Sequence, residues 1–166
     1  MRFGINTFLF ISPFTNESTS LFKQFKAWGF DSVEIALEHE SHIDAAFVKA
    51  ELDRHGLVCG TLCGAFGPGR DLRGTAEEQQ VSMDYIQHLI DAMGILGASV
   101  LAGPVYSVVG RADFVPEKER KVQWKLVAKN LKRVCQYAQK KGKMREEKSK
   151  GWKSRSPSLE NTIIIS

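Results

Sequence analysis

Four times along this chain a short apolar run passes into a polar loop bearing Gly or Pro, and then into a segment with helical spacing. The fourth pass is the plainest. Ser99 to Ala102 read as a strand buried on both faces, Gly103-Pro104 ends the run, and a Gly-punctuated loop through Gly110-Arg111 leads to a helical pattern opening at Pro116. Each unit is roughly 35 residues long, and none shows the tight Asn-Gly or Asp-Gly link of a hairpin. Alternation of this kind calls for parallel strands joined by right-handed crossovers.

The other three units follow the same grammar. Phe3 to Phe10 read as the first strand, limited by Pro13; Ser18 or Ser20 can cap a helix with Leu21, Phe22, Phe25 and Trp28 on one face, ending at Gly29. Ser32 to Leu37 read as the second strand, and a helix carrying Ile43, Phe47, Val48 and Leu52 stops near Gly56. Phe22, Phe25, Trp28 and Phe47 are expected in the core. Leu57 to Cys63 read as the third strand, opening into a long Gly/Pro loop. Thr75-Ala76-Glu77-Glu78 has capping-box spacing and starts a helix with Val81, Tyr85, Ile86, Leu89, Ile90 and Met93 in register, closed by Gly94 and Gly97. The last helix carries Val122, Leu126, Val127, Leu131, Val134 and Ala138, and Gly142 ends it.

Two α/β architectures satisfy this order: an open doubly wound sheet, or about four βα units of a (β/α)₈ barrel. The loops after the strands are long and polar, whereas the turns before them are terse, which places function at the C-terminal rim of the sheet.

The pattern breaks after Gly142, so the reading divides the chain into 1–142 and a tail, 143–166. Lys143, Arg145, Lys148, Lys150, Lys153 and Arg155 face only Glu146, Glu147 and Glu160 there, and much of the net charge of +4 belongs to this segment. Its composition is that of an irregular or disordered tail, with Asn161 to Ile165 able to pair as a stray strand, and a shifted reading frame, a splice variant or a cloning artefact is the expected origin. Basicity confined to a tail is poor support for a nucleic-acid site. No run nears the roughly 18 apolar residues of a membrane span, and the start lacks a signal peptide's apolar stretch. Cys59, Cys63 and Cys135 form no CxxC and suit thiols in a reducing cytoplasm.

Residues 1–142 resemble the N-terminal half of the xylose-isomerase-like TIM-barrel sugar isomerases and epimerases, most of all the ketose 3-epimerases of the D-tagatose/D-psicose type. The resemblance is carried by Phe3-Gly4-Ile5-Asn6, Gly29-Phe30-Asp31-Ser32-Val33-Glu34-Ile35, Arg70-Asp71-Leu72, Leu96-Gly97-Ala98 and Gly103-Pro104-Val105-Tyr106-Ser107-Val108-Val109-Gly110. It implies a TIM-barrel fold and a small ketose as substrate. It also implies Mn²⁺ or Mg²⁺ held by two Glu, an Asp and a His, with the Glu pair moving a proton at C3. In the family those ligands come from strands five to eight, and no counterpart is matched here, so no catalytic or metal residue is assigned. The resemblance places Asn6, Phe8, Cys63, Gly64, Pro104, Tyr106 and Ser107 against the sugar, with Glu34 where the superfamily has an inward acid. Where the family commonly has a Trp after the fourth strand, this chain has Arg111-Ala112-Asp113.

The expectation is thus an epimerase-family protein, incomplete and lacking its metal ligands. Two alternatives stay open: an inactive half-barrel acting through a partner, with homo-oligomers included, and a phosphodiesterase of the AP-endonuclease type. Glu38, His39, Glu40, His42 and Asp44 read as a solvated charged loop in place of a metal cluster. Gly67-Pro68-Gly69-Arg70 reads as a βα loop in place of a phosphate cradle, and Cys63 equally as pocket lining or apolar filler. A Glu34 held in a buried strand needs a partner, whether a salt bridge inside the barrel or a sugar.

Overall fold

The computed structural model describes Met1, residues 3–141 and the backbone of Thr162–Ile163. Four strands, β1 (Gly4–Asn6), β2 (Ser32–Leu37), β3 (Val58–Gly64) and β4 (Val100–Ala102), alternate with α1 (Phe22–Ala27), α2 (Ala45–Arg54), α3 (Ala76–Leu96) and α4 (Glu117–Lys140). A two-residue strand, β5 (Thr162–Ile163), extends the sheet beside β4. Strand order is sequential and every pairing is parallel, the arrangement of a barrel wall and not of a doubly wound sheet with its reversal of strand order.

Register sorts the sheet into rows. Ile5, Val33 and Cys59 align, as do Ile35, Leu62 and Leu101, and these six are buried in the core shared with the helices. On the opposite face Asn6, Glu34 and Thr61 align, and Ala36, Cys63 and Ala102 form the row above. A bulge between Val33 and Glu34 skips Gly60 and keeps the polar row in phase. β4 therefore departs from the expectation of burial on both sides: Leu101 is fully buried, whereas Val100 and Ala102 are only partly buried on the inner face.

The first strand is shorter than its apolar run suggests. The Asn6 side chain accepts a hydrogen bond from the Phe8 N–H at 2.7 Å and starts a 3-10 turn over Thr7–Leu9, so Phe8 to Phe10 leave the sheet. Helix α1 is entered through a second 3-10 turn, Asn16–Leu21, with Thr15 as N-cap and Ser18 as its capping-box partner. Phe14, Phe22 and Phe25 are sealed in the core, but Trp28 and Phe47 are about half-exposed, contrary to expectation. Trp28 leans on Phe10 and Phe25 with ring centroids 5.7 and 6.0 Å away, covering the core edge without entering it.

Helix α3 is the anchor. Thr75 and Glu78 form the expected capping box, Gly97 ends the helix with φ 75°, and Gly94 lies inside the last turn. Val81 is exposed, while Tyr85, Ile86, Leu89, Ile90 and Met93 are buried. Helix α4 packs on α3 through Val134 and Ala138, and Asn130 donates to the Leu72 carbonyl (3.1 Å) and to Gln79 Oε1 (2.9 Å). Val122, expected on its apolar face, is exposed. The tail as a separate segment lies outside the described residues, apart from the short pairing of Thr162–Ile163 with β4.

Candidate sugar site at the sheet rim

The C-terminal ends of the strands carry a cleft of about 440 Å³, lined among others by Phe8, Ser12, Glu38, His42, Phe66, Arg70 and Val109. Each of the four strand-end loops contributes to it. β2 ends at Leu37, so Glu38 is the first residue over the rim; its carboxylate accepts the Ser12 hydroxyl at 2.5 Å. Arg70 Nη1 donates to the Glu38 carbonyl at 2.7 Å, and its guanidinium lies 3.9 Å from the centre of the Tyr85 ring. The Tyr85 hydroxyl donates to the Leu37 carbonyl at 2.5 Å and accepts from the Ala65 N–H at 3.1 Å, and burial pushes its pKa up to about 12. The floor of the cleft is therefore a tied structure.

Behind the cleft stands a buried acid. Asp71, fully buried, accepts from the Arg73 N–H (2.7 Å), Arg73 Nε (3.1 Å) and Nη2 (2.9 Å), and from Arg111 Nη1 (3.0 Å). Burial raises its carboxyl, but the hydrogen bonds from Arg73 and the charges of Arg73 and Arg111 outweigh this and hold it below the usual carboxylate range. Arg111 also pairs with Asp113. The tie joins the loop after β3 to the loop after β4, beside main-chain bonds from Leu72 N to Tyr106 O (3.0 Å) and from Val109 N to Phe66 O (3.0 Å).

Of the residues expected against a sugar, Phe8 lines the cleft and is 42% exposed. Asn6 and Glu34 lie below it on the inner sheet face, beside a groove of about 260 Å³. Asn6 Nδ2 donates to Glu34 Oε1 at 2.5 Å; burial raises the Glu34 carboxyl above its ordinary range, opposed by that hydrogen bond. Cys63 stands on the same face, half-buried, with its thiol pushed up to about 11 by burial and by the Glu34 charge. Pro104 is half-buried, Tyr106 is 38% exposed and Ser107 is buried in the loop after β4. Gly64 belongs to the other face: it aligns with Leu37, and a Cβ there would lie 2.5 Å from Leu89 and 3.0 Å from Val105. Its smallness serves packing.

Sequence reasoning passed over Glu38, His42 and Ser12, because a charged run looks like solvated loop until the turns bring it beside Phe66 and Arg70. Among the described residues no group of three His, Cys, Asp or Glu side chains comes together in a way that could hold a metal ion. Among the described residues no helix is long and apolar enough to cross a membrane.

Comparison with known proteins places these features. A family model described as xylose isomerase-like TIM barrel matches residues 22–144. A protein of Synechocystis sp. named "Probable ketose 3-epimerase" is 28% identical over 137 residues, covering 79% of this chain and 47% of its own length. The solved D-allulose 3-epimerase of Methylomonas sp. superposes with a TM-score of 0.74 at 21% identity, over 86% of this chain and 49% of that one. D-psicose 3-epimerase of Clostridium cellulolyticum H10, solved with D-tagatose, does so with a TM-score of 0.67 at 16% identity, over 86% and 50%. The chain thus spans about half the length of the relatives it matches.

Proposed function

This chain belongs to the xylose isomerase-like TIM-barrel family, and from that premise we propose that it forms the sugar-binding wall of a ketose 3-epimerase. The supporting observation is the rim cleft, where Phe8 and Phe66 provide apolar walls beside Glu38, Ser12, His42 and Arg70. Such a mixture suits a polyol, whose C–H faces pack on aromatic rings while its hydroxyls exchange hydrogen bonds with charged and neutral partners. Asn6, Glu34, Cys63, Pro104, Tyr106 and Ser107 extend that surface down the inner face and over the loop after β4. Ser12, Glu38 and His42 join the expected contacts, and Gly64 shapes the wall from behind.

Epimerisation at C3 needs a proton removed from one face and returned to the other. Family metal dependence makes Mn²⁺ or Mg²⁺ the expected cofactor of the reaction, but the described residues do not fit such an ion. Their part is to bind and orient the ketose and to exclude water from one side of it. Proton transfer is assigned to other side chains.

The test is a titration of the ¹⁵N-labelled chain with D-allulose and D-tagatose, with a parallel turnover assay in Mn²⁺. Saturable shifts at Phe8, Glu38 and Tyr106 without interconversion are expected. Absence of shifts at the rim would reject the sugar reading, and turnover would reject the assignment of catalysis to other residues. Zinc content and cleavage of abasic DNA test the phosphodiesterase alternative, and sedimentation tests association with a second copy.

A further inference from the structure

We propose that the outer face of helix α4 is a docking surface for the headgroups of an anionic lipid bilayer. Charge along the chain is segregated. Residues 1–116 carry eight Lys or Arg against fourteen Asp or Glu, net −6, whereas residues 117–141, α4 and its C-cap, carry nine Lys or Arg against two Glu, net +7. Lys118, Lys121, Lys125, Lys129 and Lys132 succeed one another at steps of three and four, which puts them in one stripe, with Arg133 and Lys140 beside it. All seven are exposed, on the side turned away from the buried Val134 and Ala138. Like charges at such spacing weaken a helix, and among the described residues only Lys121 of these seven has a carboxylate partner, Glu117 at 2.7 Å. Folding gives no reason for the stripe; an anionic partner does.

The form of the surface selects the partner. From Lys118 to Lys140 it runs about 33 Å along a single outer helix, straight and convex, and so matches a plane. Reading a nucleic-acid duplex needs side chains that reach base edges in a groove, and holding a single strand needs several aromatic platforms along a channel. Seven of the nine cations are Lys, compact charges suited to the diffuse field of a headgroup layer, where Arg would supply forks for individual phosphates. Val122, 62% exposed, and Trp124, 77% exposed, stand among them, and Trp124 lines a groove of about 470 Å³ with Arg120, Lys121 and Lys125. An exposed indole flanked by basic side chains is an interfacial anchor. The acidic remainder of the chain is repelled by the same bilayer and orients α4 towards it. None of these residues lines the rim cleft, so the surface is independent of the sugar site.

The experiment sediments the full chain with vesicles of phosphatidylcholine alone and of phosphatidylcholine with about one-third phosphatidylserine. Binding to the anionic vesicles only is expected, weakening about tenfold or more as salt rises from about 0.05 to about 0.5 M. At fixed low salt the combined Lys125→Gln, Lys129→Gln and Lys132→Gln variant should lose about tenfold or more in affinity, while the same three positions changed to Arg should bind like wild type. Unchanged circular dichroism verifies the fold of both variants. No binding to the anionic vesicles, equal binding to the neutral ones, or binding undiminished by the three Gln overturns the proposal. Tighter binding to single-stranded or duplex DNA than to the anionic vesicles also overturns it, and makes the stripe a nucleic-acid contact.

Discussion

Gly103→Ala should be the most damaging single-methyl substitution at the rim. Gly103 has φ 124°, a conformation nearly closed to residues with a Cβ, and an added Cβ would lie 2.0 Å from the Gly64 carbonyl oxygen and 3.0 Å from its carbon. Backbone strain of this kind costs about 1–3 kcal/mol. The clash adds about 1–3 kcal/mol more, because the obstacle is the main chain of β3 and no side chain can swing aside. The sum, about 2–6 kcal/mol, is a large share of the 5–15 kcal/mol typical of a whole domain. Gly64→Ala is the internal comparison. Its new Cβ would press on the ends of the Leu89 and Val105 side chains, which can shift, so it should cost about 1–2 kcal/mol. Urea unfolding followed by far-ultraviolet circular dichroism measures both. A Gly103→Ala cost below about 1 kcal/mol, or one no larger than that of Gly64→Ala, would refute the reasoning.

Asp71→Asn should destabilise the chain by about 2–4 kcal/mol, since it leaves Arg73 and Arg111 without their shared counter-charge; thermal melts read it out. Because the folded state holds Asp71 below its ordinary range, its contribution is present above the unfolded pKa and is lost as pH falls through the folded value. The wild-type advantage over Asp71→Asn should therefore shrink in urea titrations taken from pH 5 towards pH 2. Glu34 has the opposite sign: its carboxyl is raised, so its ionisation costs stability as pH rises through the unfolded value. Glu34→Gln should melt higher than wild type at pH 7 and equally at pH 4. With thiols at about 11 and about 12, Cys63 should alkylate with iodoacetamide on the order of a hundredfold slower than a free cysteine at pH 8, and Cys59 only on unfolding, as peptide mass mapping would show.

What was legible beforehand was whatever depends on short-range spacing. The alternation of Val33, Ile35 and Leu37 placed β2 at its observed ends, and Thr75 with Glu78 fixed the start of α3. The misplacements share a cause, a side chain outbid by a partner distant in sequence or in role. β1 stops at Asn6 because that amide caps the next turn, so the apolar residues after it serve the rim. Trp28 and Phe47 have the right period, but the core below them is already filled by Phe25, Phe14 and Val48. Glu38 and Asp71 were invisible as site and keystone, because their partners Ser12, Arg70 and Arg111 converge only when three crossovers have been made.

The two faces of the sheet divide the labour. Rows facing the helices are apolar and sealed, and truncating Ile35 or Leu62 would cost stability directly. The inner rows hold Asn6, Glu34, Thr61 and Cys63, of which the Glu34 carboxylate is poorly solvated and bonded to one amide. A desolvated acid on a sheet that packing alone would fill with Val or Ile lowers stability, so the fold does not account for its presence. Recognition does. In the sugar-binding proposal the carboxylate, held by Asn6 on the inner sheet face below a cleft lined by Phe8 and Glu38, is set to meet a hydroxyl. The Arg70–Tyr85 stack and the Asp71–Arg111 tie keep the loops above it from collapsing into that space.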